Sequence, residues 1–326
     1  MNYDYNTKSS ENIQYSGRQE LRLRRKLRER KRRRKRIAIF LFIVFVFIIC
    51  VIARLLNKIY DSSNVYEKTE VINSGDTVTS ARESTADDDV KTVEHDYSQY
   101  SYYEPKNQER YVAYHDKHPE LDPSDVTWKV NSNLDKEWYT SDIPVDGYDQ
   151  YIIVNKYYTV PDGYRPPDLI DVEGQLMRKN TADAYLKMRE EAKNQGLNIR
   201  AVSAYRSVEY QKGLYNRYLE NDNQNSVDRY SARAGHSEHH TGMALDLFGS
   251  QDGLRNFVNT PEYPWVRDNC HKYGFIIRYQ ADIENITGYE DEPWHIRYVG
   301  VEISTDMKNK GIKSYEEYYE KYIKRR

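Results

Sequence analysis

Ser237-Glu238-His239-His240-Thr241-Gly242-Met243-Ala244-Leu245-Asp246 is the stretch on which the reading of this chain turns. Met243, Leu245 and Leu247 alternate with Ala244 and Asp246, a period of two that makes a strand with Asp246 projecting to one face. Gly242 permits a tight bend just ahead of that strand. His239 and Asp246 are too far apart for one helical turn, but their spacing suits a loop feeding a strand. Downstream, Glu292-Pro293-Trp294-His295 adds a second imidazole on another strand and a carboxylate that is left over. Two imidazoles, one ligating carboxylate and one spare carboxylate are the parts of a catalytic zinc site: three protein ligands, an open position for water and a general base. Spacing alone leaves the choice of histidine open, because His236 and His240 flank His239.

Around this stretch the chain is uneven. Ile37 to Ala53 is an uninterrupted apolar run, long enough with Leu55 and Leu56 to cross a bilayer if Arg54 snorkels. It shows no polar face, as a soluble core helix would. Residues 1–36 carry 14 Lys or Arg against 4 Asp or Glu, about +10, so the total of −2 leaves about −12 for the rest. A basic block directly before an apolar run keeps the N-terminus cytoplasmic and sends the remainder outside. A cleaved signal peptide would need a small-residue cleavage site after the run, and Ala53-Arg54-Leu55-Leu56-Asn57 offers a poor one. The acidic remainder has no broad attraction to nucleic acid. Cys50 lies within the apolar run and Cys270 stands alone beyond it, so no intrachain disulfide braces the outer part.

The expected organisation is a basic cytoplasmic stub (1–36), a transmembrane helix (37–56), a flexible stalk (57–107) and a folded domain (108–326). The stalk is rich in Ser, Thr, Asp, Glu and Tyr without apolar periodicity, and its tyrosines at 97, 100, 102 and 103 read as compositional bias. A flexible chain of that length typically spans roughly 35–45 Å. In the domain, Tyr151 to Val154 is a short strand candidate. Ala184, Tyr185, Met188 and Ala192 recur at helical spacing, opened by Asn180 or Thr181 and closed by Gly196. Leu197 to Ala201 alternate as a strand, and a second helix follows with Tyr210, Leu214, Tyr215 and Tyr218 as its stripe. Phe275 to Tyr279 and Trp294 to Val299 make further strands, and Lys313 to Arg326 a charged helix. Strands and helices mix without regular βαβ alternation, so the class is α+β.

The pattern Ser-x-His-x-x-Gly-x-Ala-x-Asp followed by Glu-Pro-Trp-His resembles the zinc D-Ala-D-Ala carboxypeptidases of the VanY type, within the wider Hedgehog/DD-peptidase group. The match reads Ser237, His239, Gly242, Ala244, Asp246, Glu292, Trp294 and His295. Tyr205-Arg206-Ser207 with Gln211, and Tyr273-Gly274-Phe275, Arg278-Tyr279 and Thr287-Gly288-Tyr289, extend it over roughly residues 108–310. The resemblance implies a small antiparallel sheet flanked by helices, with zinc held by His239, Asp246 and His295. It further implies Glu292 as the base and then the acid, and Arg206 as the group that polarises the scissile carbonyl. Ser237 would bond the substrate's terminal region, Gln211 would line the pocket, and Trp294 would pack beside it. The implied function is membrane-anchored, extracytoplasmic removal of the terminal D-alanine from peptidoglycan stem peptides. The alternatives are an L,D-carboxypeptidase or endopeptidase on the same peptides, or a zinc-stabilised wall-binding module without turnover.

Overall fold

The computed structural model describes residues 95–325, so the stub, the apolar run 37–56 and most of the stalk lie outside the described residues. Among the described residues no helix is long and apolar enough to cross a membrane.

Two helices, α1 (Gln108–Lys117) and α2 (Pro123–Asn131), come first and pack on each other. A hairpin of β1 (Leu169–Val172) and β2 (Gln175–Arg178) leads into α3 (Lys179–Asn194), which starts just ahead of the expected Asn180 or Thr181 and is followed by Gly196 at φ 78°. Then come β3 (Arg200–Ser203), α4 (Val208–Leu219), β4 (Ala244–Phe248), β5 (Phe275–Ile277) and β6 (His295–Tyr298). β3, β4, β6 and β5 lie side by side in that order as an antiparallel sheet, and α5 (Val301–Lys310) follows. The expected α+β architecture, a small antiparallel sheet with flanking helices, is what the chain builds.

The period of two gives this sheet unlike faces. Leu245, Leu247, Phe275 and Ile296 turn one way and join Tyr185, Met188 and Ala192 of α3 in the main core. Leu245, Leu247, Phe275, Ile296 and Met188, almost wholly removed from water, each contribute about 1.5–3 kcal/mol. Their neighbours Asp246, His295 and Arg297 belong to the alternate set and are also buried, but they hydrogen-bond with one another's surroundings instead of packing apolar surface. In register, Ser203 pairs with Asp246 and Asp246 with His295, so one row across three strands carries polar groups.

Three expectations need correction. The folded part begins before residue 108: Tyr97 and Tyr102 are buried, Tyr97 packs with Tyr111, and Tyr102 Oη bonds Ser124 Oγ. Those tyrosines anchor residues 95–107 to the first helices and are not a stalk's compositional bias. Tyr151 to Val154 form no strand. Arg297 Nη2 donates to the Ile152 carbonyl and Tyr315 Oη to the Tyr151 carbonyl, so side chains satisfy a backbone that a partner strand would otherwise pair. The inward stripe of α4 is Val208, Gln211 and Tyr215, while Tyr210 is exposed. Gln211 can face inward because its amide donates to the Ala232 carbonyl. The charged tail is helical within its expected span, an α-helical turn at Tyr315–Tyr318 that continues as a wider one through Ile323, and Glu316 and Glu320 on it are buried and paired to Arg278 and Lys324.

Candidate metal centre and cleft

Three elements bring the candidate ligands together. Asp246 and His295 are cross-strand partners on β4 and β6. His239 sits in the single turn Glu238–Thr241 that leads into β4, capped by Ser237, whose hydroxyl accepts from the His239 amide. Gly242 ends that turn at φ +65°, where a Cβ would come within 2.8 Å of Leu169 and 3.1 Å of Arg178, so only glycine makes the bend against the hairpin. The result is a group in which one donor atom from each of His239, Asp246 and His295 lies within 4.8 Å of the others, all three residues buried. Two imidazoles and one carboxylate with room for a further ligand form the donor set of a catalytic zinc site.

The histidines that spacing could not separate are separated by their hydrogen bonds. His240 accepts from the Gly235 amide at Nε2, 3.2 Å, and its Nδ1 meets the Arg206 carbonyl at 2.8 Å. His236 Nδ1 meets the Asn155 carbonyl at 2.8 Å and its Nε2 faces Asp142. Both are tied to backbone away from the ligand group. His239 instead gives its Nδ1 proton to the Ala204 carbonyl, 2.7 Å, which leaves the Nε2 lone pair facing Asp246 Oδ2 at 3.3 Å. His295 faces Asp246 Oδ1 with Nδ1 at 3.2 Å.

The electrostatics fit metal binding and proton transfer. Burial and the Arg206 charge lower His239 to about 4, so it is neutral and free to ligate. Burial alone would raise Asp246, but His239, His295 and Arg206 outweigh it and hold the carboxyl well below its ordinary range. Burial works to lower His295, and its hydrogen bonds to Asp246 and Glu238 overcome this and raise it to about 9. Burial pushes Glu292 up to about 8, against the pull of His295 and Arg206. A carboxyl poised there can take and return a proton near neutral pH.

Glu292 lies beside His295, with Oε2 3.8 Å from Nδ1, and its amide donates to the Tyr279 carbonyl. Arg206 serves the other two ligands: Nη2 donates to Asp246 Oδ2 at 2.7 Å and to His239 Nε2 at 2.8 Å. Its Nε donates to Ser203 Oγ in the polar row, and its Nη1 to Gln211 Oε1, both at 3.0 Å. Ser207 caps α4, which places Gln211 one turn on and behind Arg206. Gln211, expected to line the pocket, is therefore a buried support for the arginine and not part of the cleft wall. Arg206, Ser237, Glu292 and Trp294 all line a cleft of about 190 Å³ over the ligand group.

Sequence reasoning passed over Glu238, Tyr279 and Tyr289. The two tyrosines line the cleft with their rings 4.7 Å apart, and Tyr279 packs at the same distance on the His295 ring. Both fall in motif segments whose chemistry the spacing did not expose. Glu238 sits between motif positions, and nothing in its neighbours reveals which way it points.

Residues 174–301 match the family model described as VanY: D-alanyl-D-alanine carboxypeptidase. A putative carboxypeptidase of Bacillus subtilis (strain 168), YodJ, is 36% identical over 212 residues, covering 59% of this chain and 77% of its own. Among solved structures, the LD-carboxypeptidase LdcB is 37% identical, covering 52% of this chain and 85% of that one, with a TM-score of 0.49. A vancomycin-resistance D,D-pentapeptidase VanY in complex with Zn(II) is 27% identical, covering 52% and 98%, with a TM-score of 0.46. With its His–Asp–His group, its spare glutamate and this extent of sequence identity, the chain belongs to the VanY family of D-alanyl-D-alanine carboxypeptidases.

Proposed function

We propose that this chain is a zinc D,D-carboxypeptidase that removes the terminal D-alanine from peptidoglycan stem peptides, anchored to a membrane by residues 37–56 with its catalytic domain outside the cytoplasm. One juxtaposition carries the reading: Glu292 stands beside His295 while Arg206 bonds His239 and Asp246, all in one cleft. A wall-binding module without turnover would need neither the base nor the arginine.

Zinc, when held by His239, Asp246 and His295, supplies a Lewis acid that makes water nucleophilic near neutral pH. Glu292 accepts the proton of the attacking water and returns it to the departing amine of D-alanine. Arg206, fixed by Ser203 and Gln211, stabilises the negative charge that gathers on the scissile carbonyl oxygen. Its planar fork is held by Ser203 and Gln211 on one side and by Asp246 and His239 on the other, which fixes the guanidinium at the edge of the ligand group. Ser237 lies on the cleft wall, where its hydroxyl can meet the substrate's end.

Glu292→Ala tests the assignment. Zinc measured by elemental analysis should stay bound, while D-alanine release from a defined pentapeptide falls about 10²–10⁴-fold, and undiminished turnover would remove Glu292 as the base. The same assay with penta- and tetrapeptides read by mass spectrometry decides specificity. Release from the pentapeptide supports D,D-carboxypeptidase action, release from the tetrapeptide alone makes the enzyme an L,D-carboxypeptidase, and internal cleavage an endopeptidase. For the anchor, the full chain should sediment with membranes and its C-terminus should yield to protease added outside the cell. A chain recovered wholly in the supernatant would refute it.

A further inference from the structure

Behind the metal ligands lies a group of charges with no access to solvent. Glu238, Arg278 and Arg297 have 0% side-chain exposure and Glu316 has 1%. Two arginines face two glutamates, so the group is neutral as a whole, the condition under which such burial is tolerated. Arg278 donates Nε to Glu238 Oε1 at 2.9 Å and grips Glu316 with its other two nitrogens at 3.0 and 2.6 Å. Arg297 donates to the same Glu238 oxygen at 3.2 Å and to the Ile152 carbonyl at 2.8 Å. Glu316 is held in turn by Asn155 and Ser314.

Both arginines use Oε1 of Glu238. The other oxygen, Oε2, faces Nε2 of His295 at 3.5 Å. The opposite nitrogen of that ring, Nδ1, is the one turned towards Asp246 and Glu292. An imidazole that gives its Nε2 proton to a carboxylate keeps its Nδ1 lone pair for a metal. Glu238 and His239 are consecutive in one tight turn yet serve different ligands. His239 joins the donor set itself, and Glu238 reaches beneath His295 on the other strand.

The geometry points to Glu238 as the positioning residue of His295. It selects the tautomer and the ring angle that make His295 a metal ligand, and the buried arginines hold the carboxylate at that task. The support reaches beyond the family-matched segment 174–301, because Asn155, Ile152 and Glu316 complete it from the two flanks. This rests on His295 being a ligand of the proposed zinc site.

The test uses the full chain, with zinc affinity measured by chelator competition and Co(II) absorption as a report on ligand geometry. Glu238→Asp keeps the charge that the arginines need but withdraws it from His295 by one methylene. It should fold, as judged by circular dichroism, bind zinc about 10–100-fold more weakly and shift the Co(II) bands. Glu238→Gln is the second variant should the aspartate fail to fold. Glu316→Gln, which loosens Arg278 but leaves Glu238 beside His295, should lower the melting temperature while changing zinc affinity less than about threefold. Wild-type zinc affinity in a folded Glu238 variant overturns the proposal. So does a loss of affinity in Glu316→Gln equal to that in Glu238→Asp, which would make the role structural only, and so does failure of both Glu238 variants to fold. His295→Ala separates the two readings. Unchanged zinc affinity there sinks the metal site and this inference together, whereas a large loss there with none in Glu238→Asp sinks this inference alone.

Discussion

The two faces of the central sheet come from the same strands and do opposite work. On one, Leu245, Leu247 and Ile296 lose all contact with water and press against α3. On the other, Asp246, His295 and Arg297 are buried as deeply, but each is matched to a charge or a donor. The apolar face is non-directional and tolerates rearrangement, whereas the polar face works only if every partner is in place. Alternation along β4 and β6 thus divides stability from chemistry at intervals of a single residue.

The sharpest way to break this division is to remove one of the three candidate metal ligands. His239→Ala should leave the purified chain with little or no zinc after dialysis and abolish turnover, while the metal-free protein still folds. Undiminished zinc content would transfer the role to another residue. On the opposite face, Leu245→Ala should cost about 2–5 kcal/mol in denaturant unfolding. Zinc affinity measured well below the melting temperature should stay as in the wild type, and a parallel loss of affinity would show that the faces are not independent.

A pH series sharpens the comparison further. His295 is raised to about 9, so at neutral pH in the metal-free chain its ring carries a proton that zinc must displace. The association constant should therefore fall about tenfold for each pH unit below 9, with proton release visible by calorimetry in two buffers. A flat profile between pH 6 and 8 would mean that His295 is already neutral. The smallest effect belongs to neither face: Lys179→Ala removes an exposed pair with Asp183 and should change stability by no more than about 0.5 kcal/mol. A larger change would mean that the start of α3 matters more to the core than its exposure suggests.

The legible parts of this molecule were those in which local pattern and final environment agree. Alternation around Asp246 gave a strand, helical spacing from Ala184 to Ala192 gave α3, and Gly242 marked a turn that glycine alone can make. Where tertiary contacts override pattern, the reading failed. Tyr151 to Val154 look like a strand, but the Tyr151 and Ile152 carbonyls are satisfied by Tyr315 and Arg297. Tyr210 looks like core, but Gln211 takes the inward place because Ala232 and Arg206 complete its hydrogen bonds. The tail is helical, as its pattern suggests, but nothing local shows that Arg278 draws Glu316 inside.

By itself, then, the sequence determined the ligand types, the spare carboxylate, the strand that bears Asp246 and the glycine that turns the chain into it, because these depend on residue chemistry and on neighbours a few positions away. Only the tertiary structure decided which of three clustered histidines joins Asp246 and His295, what holds Arg206, and that Glu238 and Glu316 lie inside. A buried charge is stable only where partners from distant segments meet it, and a one-dimensional pattern carries no record of that meeting.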